Sequence, residues 1–287
     1  HTHKGVLGVD VGASATTIAA GLAGDLIPSV YTQLGLGQNL PQMLDLCSLE
    51  DIQRWLTIEV THQELQDYIY NKAAFPSSIP AGPDELAIEQ ALACQAVYLA
   101  IRQAMQTYPA ELPRTSPDFL PWFEPIIATG SVFTRAPSRA QALLMLLNAL
   151  QPTGITTLAL DRNNLAGVLG AAAAVAPLLT IQSLDSTNFL NLCTVISPVG
   201  HAPMGAPILR IRLALGENQE ANLEVRNGAL EVIKLPAGQS GTLYLTPLHR
   251  FDVGLGGAGR GGSLKVIGGV LGVVIDARGR HTTTRRE

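Results

Sequence analysis

The chain has 287 residues, 47% hydrophobic and 15% charged, with 28 Gly and 18 Pro. This is the composition of an apolar, folded protein, long enough for two ordinary domains or one large one, and it excludes a disordered chain. A net charge of −4 offers no basic field for nucleic acid.

Three scattered cysteines, Cys47, Cys94 and Cys193, lack CxxC spacing and fit buried thiols better than a disulfide frame or zinc site. The most apolar window, Leu165–Leu179, is too short to cross a bilayer, and no signal peptide is visible. The expected setting is cytoplasmic, away from membrane and nucleic acid. The opening His1-Thr2-His3 reads as a tag remnant or the start of an excised fragment.

The first segment with chemical content is Gly5–Gly12, GVLGVDVG. Val6, Leu7, Val9 and Val11 form a short apolar run with β-branched residues, as a buried strand requires. Asp10 interrupts that run at its end, where an unpaired charge is costly to bury. Gly12, Ala13 and Ser14 are small enough to admit a ligand to the backbone, and Ser14, Thr16 and Thr17 add hydroxyls. Such a turn fits a phosphate cradle, or a plain hairpin whose acid caps the turn.

Further strands are expected at Thr16–Gly24 and Asp25–Leu34. Gly35 and Gly37 then precede a helical pattern, either as a second anion-binding helix start or as a strand-to-helix turn. Residues 48–116 change register to helices, with starts at Ser48-x-x-Asp51 and Thr61-x-x-Glu64 and a long amphipathic helix over Glu85–Thr107. We read this block as a helical insertion or subdomain.

Phe123–Ala128 is expected to be a strand ending in the turn Thr129-Gly130-Ser131, followed by a helix at Ser138–Leu150. Thr156–Leu160 is a strand ending at Asp161, and Leu165–Ala176 a helix whose small side chains suit close contact with a sheet. Alternating strands and helices imply a parallel sheet with crossovers. From Ile181 onward only strands are expected, from Cys193–Ile196 to Val270–Ile275, with an Asn227-Gly228 hairpin turn. They suggest a small β-barrel or sandwich.

Gly254–Gly259 satisfies GxGxxG, but strand grammar follows it where a dinucleotide site needs a helix. There is no Walker A lysine, HExxH or GxSxG, and no acid–base pair or catalytic residue can be assigned.

Taken together, VDVGASATT, the LGLG turn, IIATGSVFTRAPSRAQALLMLLNALQPTGITTLALD and NLAGVLGAAAAV resemble the glutamate mutase accessory protein MutL (GlmL) family. The resemblance covers roughly residues 5–180, continues into the C-terminal β region through GGVLGVVIDARGR, and implies the actin/Hsp70/sugar-kinase ATPase superfamily. The fold expected from it is an actin-like (ribonuclease H-like) α/β ATPase lobe at 4–180, with the helical insertion at about 48–116, and a β-barrel or sandwich at 181–280.

The resemblance implies ATP and Mg²⁺ as ligands. Asp10, Gly12, Ser14, Thr16 and Thr17 would form a phosphate loop, with Gly35 and Gly37 beside it. Gly130 and Ser131 would form the adenosine turn, and Asp10 and Asp161 would lie at the metal. The implied partners are a cobalamin-dependent mutase subunit and an upstream ATPase lobe of the same protein; a homodimer stays open. The implied function is a chaperone-like, reactivating accessory protein. Ala13 replaces a second glycine, and Ile18 stands where the family's loop carries an acid, which sets against it a degenerate, non-catalytic scaffold. A small-molecule kinase is a third reading and lacks a base.

Overall fold

The computed structural model describes residues 4–22, 24–184, 188–215 and 219–279. The chain opens as an antiparallel meander, β1 (Gly5–Val11), β2 (Thr16–Leu22) and β3 (Asp25–Tyr31). Along β1 and β2 alternate residues are buried, Leu7, Val9 and Val11 on one strand and Ile18 and Ala20 on the other. Each strand therefore turns one face to the core, as period-two patterning requires.

Helices α1 (Leu49–Gln53), α2 (His62–Ala74) and α3 (Pro83–Ala104) follow. Ser48 and Thr61 both close reciprocal capping boxes, with Asp51 and Glu64. The chain returns to the sheet as β4 (Phe123–Thr129), crosses through α4 (Ser131–Thr134) and α5 (Arg139–Leu150), and adds β5 (Gly154–Asp161). β4 lies parallel to both β1 and β5, so the chemistry-bearing ends of all three strands share one edge.

α3 packs on β1, β2 and α5. Ala93, Ala96, Ala100 and Ala104 are fully buried along it and let the helix lie close to the sheet. This narrows the expected insertion: α3 is the crossover from β3 to β4 and belongs to the sheet's own core, leaving α1 and α2 as the added helices.

Helices α6 (Ala166–Ala173) and α7 (Pro177–Leu184) precede β6 (Phe189–Ser197). The expectation that Leu165–Ala176 lies against a sheet is not met. Leu169 is the one buried residue of α6, and α7 has none. The remaining strands are β7 (Pro207–Leu215), β8 (Gln219–Arg226), β9 (Leu230–Ile233), β10 (Ser240–Pro247), β11 (Gly262–Ile267) and β12 (Val273–Asp276).

These later strands do not form one separate β unit. β6, β12 and β9 continue the first sheet, whose order is β3-β2-β1-β4-β5-β6-β12-β9, while β11-β10-β7-β8 form a second, antiparallel sheet. A second core joins the two, with Ile155, Ile196, Val273 and Ile275 of the first sheet against Ile211, Leu213, Leu243 and Leu245 of the second. A sandwich layer is present, and its other half is the end of the main sheet. Gly254–Gly259 is a loop leading into β11 and not into a helix, so the GxGxxG match is no dinucleotide fingerprint.

Candidate functional site

β1, β4 and β5 end together, and ligands of open α/β sheets bind beyond such carboxyl edges. Asp10 pairs with Thr129 across β1–β4, and Ala128 with Leu160 across β4–β5. Asp10, Thr129 and Asp161 therefore stand in a row on one face, with about 10 Å from first to last at ordinary strand spacing. Asp161 is fully buried: Oδ2 accepts the backbone N–H of Ala166 at 2.7 Å, while Oδ1 is buried without a partner among the described residues. Asp10 stays open to solvent, yet the protein around its carboxyl and the charge of Asp161 hold its pKa above the ordinary value.

A cavity of about 500 Å³ opens at this edge. Asp10, Val11, Gly12 and Ala13 form one side, and Gly130, Ser131, Val132 and Arg135 a second. The third side comes from α2, α3 and the loop between them, with Lys72, Ile79, Leu86 and Glu89. The volume and the mixture of apolar walls with few polar groups suit a small ligand.

The Gly130 turn is fixed from two directions. Its φ is +103°, and a Cβ there would collide with the Val11 carbonyl oxygen, so only glycine lets β4 leave the sheet this close to β1. Asn164 then accepts the Gly130 N–H at 3.3 Å and the Thr129 hydroxyl at 2.9 Å through the same Oδ1.

Several groups expected to hold phosphate are committed within the protein. Gly12 N–H donates to Ala15 O at 3.0 Å, and Gly12 O accepts from Leu36 N at 3.0 Å. Thr16 is fully buried, and its hydroxyl donates to Leu34 O at 2.8 Å. Gly35 and Gly37 press on the same turn: a Cβ on either would come within 2.5–2.8 Å of the Ala13–Ser14 backbone. The chain then forms a 3-10 turn over Leu40–Asp45, not an α-helix, so these glycines brace the hairpin and present no helix start. Ser14 remains exposed and Thr17 half-buried beside Asp10. Ile18 lies in the core at 0% exposure, where an acid could not reach the cavity.

Residues that carried no motif complete the far wall. Lys72 is 7% and Glu89 19% exposed, and Lys72 Nζ donates to Glu89 Oε2 at 3.1 Å and to the Ser78 carbonyl. Tyr68 donates its hydroxyl to the same Glu89 oxygen at 2.9 Å. Lys72 sits in the last turn of α2, a position where a lysine is ordinarily solvated, and tertiary packing buries it. Among the described residues no group of three or more His, Cys, Asp or Glu side chains is placed to hold a metal.

Fold and site thus define an α/β protein with a ligand-sized cleft at the carboxyl edge of β1, β4 and β5. A family model described as "MutL protein" matches residues 1–187, and the chain belongs to the MutL family. No curated protein matches the chain.

Proposed function

We propose that this protein binds a nucleotide at the β1–β4 edge and works as an accessory, reactivating partner of a cobalamin-dependent mutase such as glutamate mutase. Family membership supports the accessory role. The observation that carries nucleotide binding is the cavity shared by Asp10, the Gly130–Ser131 turn and the helical wall of α2 and α3. In this reading the adenosine end lies between Ser131 and the Lys72–Glu89 wall, and the phosphates point to Asp10 and Ser14.

In this reading the acids at that end would hold a magnesium ion. Asp161 Oδ1 is buried and unpartnered among the described residues, and burial together with the Asp161 charge holds the Asp10 pKa up. Asp10 and Asp161 would hold Mg²⁺ together with phosphate oxygens, the usual hard-oxygen set, and the ion would supply charge neutralisation. The cycle then consists of nucleotide state setting affinity for the mutase. Calorimetric titration with ATP, with and without Mg²⁺, tests it: the expected result is one-site binding that strengthens with Mg²⁺, and no heat in either case overturns it.

A second reading, a non-catalytic scaffold built on a nucleotide-binding fold, is favoured by a specific observation. The Gly12 amide and the Thr16 hydroxyl already have partners inside the protein, and Ile18 belongs to the core. Capture of a mutase subunit that survives Asp10→Ala and Gly130→Ala together would support the scaffold over the nucleotide-controlled partner.

A further inference from the structure

α6 and α7 stand at the end of β5 and pack chiefly on each other among the described residues. Val168, Val175, Leu178, Leu179, Ile181 and Leu184 on and between them are 45–87% exposed. From Asn163 to Leu184 there is no charged residue. Gly167 and Gly170 lie about one turn apart on α6, and a Cβ on either meets nothing within 4 Å. Glycine is a poor helix former, and helices of this length are marginal in water without a packed face. A patch of six large apolar side chains in solvent marks a contact surface.

We propose that this helix pair is the surface through which two copies of the chain associate, pair against pair about a twofold axis. In such a contact each patch meets its own image, so any net charge on it would repel itself. A surface free of charge over 22 residues avoids that repulsion. The two glycines allow the backbones of facing helices to approach closely. At about 60–120 Å² per side chain, the six residues from each copy bury on the order of 1,000 Å² in total, the lower bound for a specific interface. A lipid surface fits less well. Helices lying on membranes carry Lys and Arg along their polar face, and this pair carries none. No helix among the described residues is long and apolar enough to cross a membrane.

The pair is anchored to the sheet where Asp161 Oδ2 accepts the Ala166 N–H at the start of α6.

Sedimentation velocity on the full chain across the micromolar range tests the proposal. The expected species has twice the mass of the chain. Leu178→Asp and Ile181→Asp, both at exposed positions, should each raise the dimer dissociation constant about 100-fold, since the twofold axis counts each substitution twice. Gly167→Leu should weaken it about tenfold without adding charge, and Ile267→Asp on β11 should leave it unchanged; circular dichroism confirms that each variant is folded. A monomer at every concentration, a dimer indifferent to Leu178→Asp and Ile181→Asp, or a monomer that co-sediments with phosphatidylcholine vesicles overturns it.

Discussion

Gly130 and Asp10 set what the cleft can do. Gly130→Ala forces a side chain into a positive-φ position and against the Val11 carbonyl. It should destabilise the protein by about 1–3 kcal/mol and weaken nucleotide binding at least about tenfold, read by chemical denaturation and by titration. Asp10 acts in the opposite sense on stability. Its folded pKa lies above the ordinary 3.8, so the native state binds the proton more tightly than the unfolded chain. The associated stability is complete below 3.8 and is lost as pH rises through the folded pKa. Asp10→Asn should therefore raise Tm at pH 7 by about 1 °C, a small shift because the carboxyl meets solvent. The difference should shrink as pH falls toward 4, while the Mg²⁺ dependence of binding disappears. Lys72→Met strands Glu89 at a mostly buried site and should cost about 3 kcal/mol. No sequence pattern announced that pair, since a lysine in the last turn of a helix is ordinarily a solvated charge.

Elements were legible where their signals are local. Ser48-x-x-Asp51 and Thr61-x-x-Glu64 carry their own hydrogen-bonding logic, and the structure forms both capping boxes. The strand at Phe123–Thr129 and the glycine turn after it were readable for the same reason. The role of Gly35 and Gly37 was not, because it depends on a hairpin some 20 residues earlier lying against them. Gly35→Ala should drive a methyl into the Ser14 backbone and destabilise the fold by about 2 kcal/mol, with amide exchange accelerating first in the Gly12–Ala15 turn. Thr16 was readable as a hydroxyl at the right place, yet the direction of its side chain is set by which face of β2 is buried. The small residues of α6 invited contact with a sheet. What they cannot encode is which surface meets them.

At the scale of the whole molecule, β7 and β10 alternate while β6 and β12 are buried along most of their length, yet no local pattern says that β6 pairs with β5 and β12 with β6. β6 and β12 are completed by β5 and by one another, and Ile155 and Ile196 carry the main sheet into the second core. A chain ending at Leu184 would expose β5 as an open edge and lose that core. Its circular dichroism melt should be broader and centred at a lower temperature than that of the full chain.

Hydrogen–deuterium exchange with and without Mg·ATP locates the bound ligand. Slower exchange confined to Ala13–Ser14, the Gly130–Ala136 turn and helix, and the Ser78–Pro80 wall is the result the cleft predicts. No change on saturation with nucleotide, or protection elsewhere with these three segments unaltered, would contradict it.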